Sequence, residues 1–125
     1  MKKRNEIIVV TEKINPEQLK HACDAWFGDM VKLVVDIEKE IVGVGGELHA
    51  DAEGMLVERG SRPEFVWGIN FYPFAQPEHR IEYTALVNIR PRQDNPGMDI
   101  QNQEIRKKID VIIEKRILSK DEKLV

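Results

Sequence analysis

The 125-residue chain has a single cysteine, no long apolar run and no excess of basic charge. Each lack removes a class of protein. Small secreted folds lean on paired cysteines, so the lone Cys23 points to a reducing compartment. No apolar stretch approaches the roughly 20 residues of a membrane span. Near the N-terminus only Ile7 to Val10 are consecutively apolar, too few for the core of a signal peptide. The expectation is a cytoplasmic protein that does not engage a membrane. Nucleic-acid modules draw their affinity from basic charge, and the net charge here is -3, so no nucleic-acid partner is expected. The clusters Lys2-Lys3-Arg4, Arg106-Lys107-Lys108 and Lys115-Arg116 read as a solvated terminus and the wet face of a helix. Internal repeats and low-complexity stretches are missing too.

What is present suits one globular domain. Hydrophobic residues make up 42% and charged residues 33%, a balance that supports a core without disulfide staples. Residues 1–125 are read as a single domain, with 1–4 and 119–125 expected to fray.

Hydrophobic periodicity predicts the elements. Ile7 to Val10 reads as a short buried strand. Asn15-Pro16-Glu17 carries a cap, a proline suited to the first helical position and an acid for the positive end of the dipole. Leu19, Ala22, Cys23 and Trp26 continue that helix to Gly28. Met30 to Ile37 and Ile41 to Val44 read as antiparallel strands about a turn at Glu38-Lys39-Glu40. A helix is predicted over Glu47 to Val57, strands over Val66 to Tyr72 and Ile81 to Ile89, and a last helix from the stripe Ile105, Ile109, Ile112, Ile113, Ile117. The result is an α+β fold in the order β-α-β-β-α-β-β-α. About five largely antiparallel strands should carry three helices on one face.

The chemistry-bearing segment is Glu47-Leu48-His49-Ala50-Asp51-Ala52-Glu53. On a helix, Glu47 pairs with Asp51 and His49 with Glu53 at i, i+4. A carboxylate one turn from an imidazole can orient it, raise its pKa or share a metal with it. Against this, acids in a first turn follow from the dipole alone, and no HExxH, CxxC or facial-triad spacing supports a metal at His49 and Glu53. His21, Asp36 and His79 are scattered. The preceding Gly43-Val44-Gly45-Gly46 is a tight turn needing positive φ rather than a phosphate loop. A second candidate is a polar sheet face. Asn70 and Tyr72 share a side of one predicted strand, and Asn88 and Arg90 share a side of the next. Paired, they would set one arginine among polar groups, suited to a carboxylate or phosphate. The plainer alternative is the solvent side of a half-covered sheet.

Several runs carry a resemblance: Gly28-Asp29-Met30-Val31-Lys32, Val34-Val35-Asp36-Ile37-Glu38-Lys39, Gly45 to Glu53, Trp67-Gly68-Ile69-Asn70 with Tyr72-Pro73, Asn88-Ile89-Arg90-Pro91 and Ile105-Arg106-Lys107-Lys108-Ile109. Together the chain resembles a family of short bacterial and archaeal proteins filed as a domain of unknown function. The resemblance implies no activity, cofactor or partner.

Three functional readings follow. The first is a binding or regulatory module for a small anionic ligand or a protein partner, using Arg90, Asn88, Asn70, Tyr72 and Glu47. The second is a hydrolase-like enzyme, with or without a metal. There His49 is base or ligand, Glu53 or Asp51 orients it, and Arg90 stabilises negative charge. The third is a structural homodimer. No motif names a cofactor.

Overall fold

The computed structural model describes residues 6–125; Lys2-Lys3-Arg4 and the expected fraying of residues 1–4 lie outside them. The elements are β1 (Ile8–Val10), α1 (Pro16–Trp26), β2 (Val31–Asp36), β3 (Ile41–Val44), α2 (His49–Glu58), β4 (Val66–Phe71), β5 (Ile81–Glu82) and α3 (Gln103–Arg116). The helix ends are set locally. The Asn15 side chain accepts the Glu17 N–H at 2.7 Å with Pro16 behind it, and Asn102 accepts from Glu104 and Ile105 at 2.8 and 3.1 Å. These are the orphan donors that any helix start must satisfy.

All five strands pair antiparallel in one sheet of order β1-β3-β2-β4-β5. Strand alternation divides β2 between two faces. Val31, Leu33 and Val35 join the larger core with Leu19 and Cys23 of α1 and the isoleucines of α3. Val34 points the other way, onto Ala52 and Leu56 of α2. The expectation of three helices on one face is therefore corrected: α1 and α3 cover one side, and α2 covers part of the other. The reason is visible in β2, where the consecutive Leu33, Val34 and Val35 put apolar side chains on both sides of the strand.

Two further expectations change. Gly45 and Gly46 have φ of 108° and 103°, so the chain cannot be helical there, and α2 begins at His49 rather than Glu47. The strand predicted over Ile81 to Ile89 is only two residues long. Beyond Glu82 the chain leaves the edge of β4, makes a single bridge from Thr84 to Asp99, and coils into a 3-10 turn at Leu86–Asn88.

The C-terminal residues make specific contacts with the rest of the fold. The buried Arg80 donates to the carbonyls of Ala75, Ser119 and Glu122 at 3.1, 3.0 and 2.7 Å. Leu118 and Leu124 pack into the larger core. No helix among the described residues is long and apolar enough to cross a membrane.

Candidate functional site

The second face of the sheet carries the site. The Cα register sets Lys32 of β2 opposite Asn70 of β4, and Asn70 opposite Glu82 of β5, so the three side chains share that face. The start of α2 lies over it on one side, and residues 84–87 lie over it on the other. Between them runs a cleft of about 290 Å³. His49, Asn70 and Lys32 supply its polar groups, while Met30, Leu48, Leu86, Val87 and Met98 make apolar walls. Leu48, Leu86 and Met98 are exposed at its mouth.

Close approach to the sheet depends on Gly68. A Cβ there would lie 2.7 Å from the Ala85 Cβ, 2.8 Å from the Val87 Cγ2 and 3.1 Å from the His49 Cδ2. Only a glycine lets both walls of the cleft rest directly on β4.

His49 is the first residue of α2 and is buried. Its Nε2 lies 2.8 Å from the Ile69 carbonyl. A carbonyl can only accept, so Nε2 carries the proton, and Nδ1 of the neutral ring is an acceptor. Burial pushes the His49 pKa down and the Lys32 ammonium pushes the same way, against the smaller opposing effects of the Ile69 carbonyl and the Asn70 amide. The ring is neutral at physiological pH.

The Asn70 amide has a fixed orientation. Its Nδ2 donates to Glu82 Oε1 at 2.7 Å and faces the Thr84 carbonyl at 3.4 Å, both acceptors. Oδ1 is then the free end: it is buried and makes no hydrogen bond of good geometry, with the His49 ring as a polar neighbour. A buried acceptor left unpaired costs about 1–3 kcal/mol, which a ligand donor would recover. Lys32 Nζ donates to the Glu47 carbonyl at 2.7 Å and sits 5.1 Å from the centre of the Phe27 ring.

The remaining sequence candidates separate into other roles. Asp51 accepts the Leu48 N–H at 3.2 Å and so caps α2, while Glu47 is exposed. Glu53 does not orient His49. It turns to Arg90, with an O–N distance of 3.5 Å. Burial raises the Glu53 pKa against the pull of Arg90, and burial lowers that of Arg90 against the pull of Glu53. Arg90 stacks 4.3 Å from the Trp67 ring and donates to the carbonyls of Val87, Pro63 and Val66. Those donors are taken up inside the fold, and Arg90 does not line the cleft.

Asn88 acts as a surrogate strand. Its Oδ1 accepts the Gly68 N–H at 2.8 Å, and its Nδ2 donates to the Gly68 carbonyl at 2.9 Å and the Met98 carbonyl at 3.1 Å. The amide thus fills the ladder position that a longer β5 would occupy. Asn95 supports it in turn, donating to the Asn88 carbonyl at 2.8 Å. The polar face expected from Asn70, Tyr72, Asn88 and Arg90 is accordingly corrected. Asn70 and Tyr72 meet at Glu82, where the Tyr72 hydroxyl lies 3.3 Å from Oε1, but Asn88 and Arg90 close the edge of β4 instead.

Among the described residues no three His, Cys, Asp or Glu side chains converge on an ion-sized site. His21 lies 3.6 Å from Glu6 at the surface, and Asp36 accepts from Ser61 and two backbone N–H groups. Cys23 is buried, and its thiol is pushed up to about 11, so it is inert. A smaller cavity of about 160 Å³ lies between α3 and β5, beside the hydrogen-bonded Tyr83 and Asp110.

Sequence reasoning missed Lys32 and the apolar walls. The available signal was a lone lysine in the otherwise apolar run Met30 to Val35. No curated protein and no solved structure matches the chain. The model of a family described as "Protein of unknown function (DUF5674)" matches residues 8–116, and the chain belongs to that family.

Proposed function

We propose that the chain is a binding module that holds a small anionic molecule in the cleft between the start of α2 and residues 84–87. The observation that carries this is Asn70 Oδ1, a buried acceptor without a hydrogen bond of good geometry, beside a lysine that has no carboxylate partner among the described residues, and apolar walls. A concave, mostly apolar site with a few convergent polar groups is the usual form of a ligand pocket. Lys32 supplies the positive charge that sequence reasoning assigned to Arg90. The first turn of α2 adds the positive end of its dipole.

The hydrolase-like reading loses support, because His49 has no carboxylate to orient it and Arg90 is engaged elsewhere. A thermal-shift screen of anionic metabolites tests the proposal. At a hundred times its dissociation constant, a ligand adds about 2.7 kcal/mol, or roughly 10 °C for a chain this size. The shift should vanish in Lys32→Gln. A screen in which no anion moves the midpoint, or in which Lys32→Gln responds equally, overturns it.

A further inference from the structure

Given that reading of the cleft, we infer that its ligand is an apolar α-amino acid with an acylated amino group, with its carboxylate at Lys32 and its N–H at Asn70 Oδ1. Three observations define the class. The cation and the unpaired acceptor come from directly opposed positions on β2 and β4. Both side chains line the cleft and both act on the His49 ring, so the anion and the donor of the ligand must be close together. A carboxylate and an N–H on the same carbon meet that requirement.

The Asn70 oxygen can only accept, because its Nδ2 is held by Glu82 and Thr84. A carboxylate alone would leave it unpaired. A free amino acid would place an ammonium beside the Lys32 ammonium, and acylation removes that repulsion while keeping the N–H. The apolar side chain lies against Met30, Leu86 and Met98. The cleft volume of about 290 Å³ is room for one such residue. The same chemistry is presented by a free acylated amino acid and by the C-terminus of a polypeptide.

The test is titration of the intact protein, followed by calorimetry and by the NMR signals of Lys32 and the Asn70 side-chain amide. The probes are N-acetyl-leucine, its methyl ester, 4-methylpentanoate and an acetylated pentapeptide ending in leucine. N-acetyl-leucine should bind about ten-fold more tightly than 4-methylpentanoate, which leaves Oδ1 unpaired. It should exceed the methyl ester by a similar factor, and Lys32→Gln should remove that second difference. A pentapeptide that binds at least as well assigns the ligand to a chain terminus, and a weaker one assigns it to a free molecule. Equal affinity of the acid, the ester and 4-methylpentanoate at the cleft overturns the class while leaving the cleft a binding site. Failure of every probe to move the cleft signals also overturns the class. The cleft reading itself falls only with the broader anion screen.

Discussion

Replacing Asn88 by aspartate changes one atom of a side chain that holds the edge of the sheet. Asn88 is fully buried, and its amide makes three hydrogen bonds, two of them donated by Nδ2 to the carbonyls of Gly68 and Met98. In Asn88→Asp the Nδ2 position becomes an oxygen facing both carbonyls. At neutral pH the change also buries a charge with no cation among its hydrogen-bond partners. The expected loss is about 3–5 kcal/mol, the range for an uncompensated buried charge. The loss should depend on pH. Burial raises the folded-state pKa of the new carboxyl above its unfolded value of about 3.9. A raised pKa means that the protonated form is favoured on folding. The variant therefore recovers stability below about pH 3.9, where the acid regains one donor, and loses it as pH rises through the folded pKa. Near pH 3.5 the deficit should shrink to about 1–2 kcal/mol. Urea unfolding of both proteins from pH 3.5 to 8, plotted as a difference, measures it. A deficit below about 1 kcal/mol at pH 7, or one that does not change with pH, would refute the surrogate-strand reasoning.

Other predictions follow from neighbouring residues. Gly68→Ala should cost about 1–3 kcal/mol by driving residues 85–87 and His49 off the sheet, whereas Gly54→Ala, where a Cβ meets nothing within 4 Å, should stabilise α2 by about 1 kcal/mol; thermal midpoints compare the two signs. Arg80→Met should leave the carbonyls of Ala75, Ser119 and Glu122 without a donor, cost about 2–4 kcal/mol, and open residues 119–125 to limited proteolysis. His49 should titrate below the ordinary value of about 6.5 in an NMR series. Because that pKa is depressed on folding, His49 lowers stability as pH falls from about 6.5 through its folded pKa, and His49→Gln should flatten that part of the profile.

The elements that sequence reasoning found are those whose causes are local. Asn15-Pro16-Glu17 contains its own cap, and the isoleucine stripe of α3 declares its face at every turn. Local pattern fails where a side chain replaces backbone. Ala85 to Arg90 alternates like a strand, yet the Asn88 amide competes for the β4 edge and the backbone coils. The Glu47 to Glu53 segment does lie at the site, but the φ values of Gly45 and Gly46 delay the helix, and the His49–Glu53 pair dissolves because Arg90 captures the carboxylate. Lys32 becomes significant only through its register with Asn70, a pairing between residues 38 positions apart that no local pattern encodes.

The most direct test of the cleft is an amide NMR screen of small anions against the uniformly labelled protein. If the account is right, the signals that move cluster on Lys32, His49, the Asn70 side-chain amide and Leu86, and Lys32→Gln silences them. Hits that gather instead beside Tyr83 and Asp110, or that persist unchanged in Lys32→Gln, would contradict it.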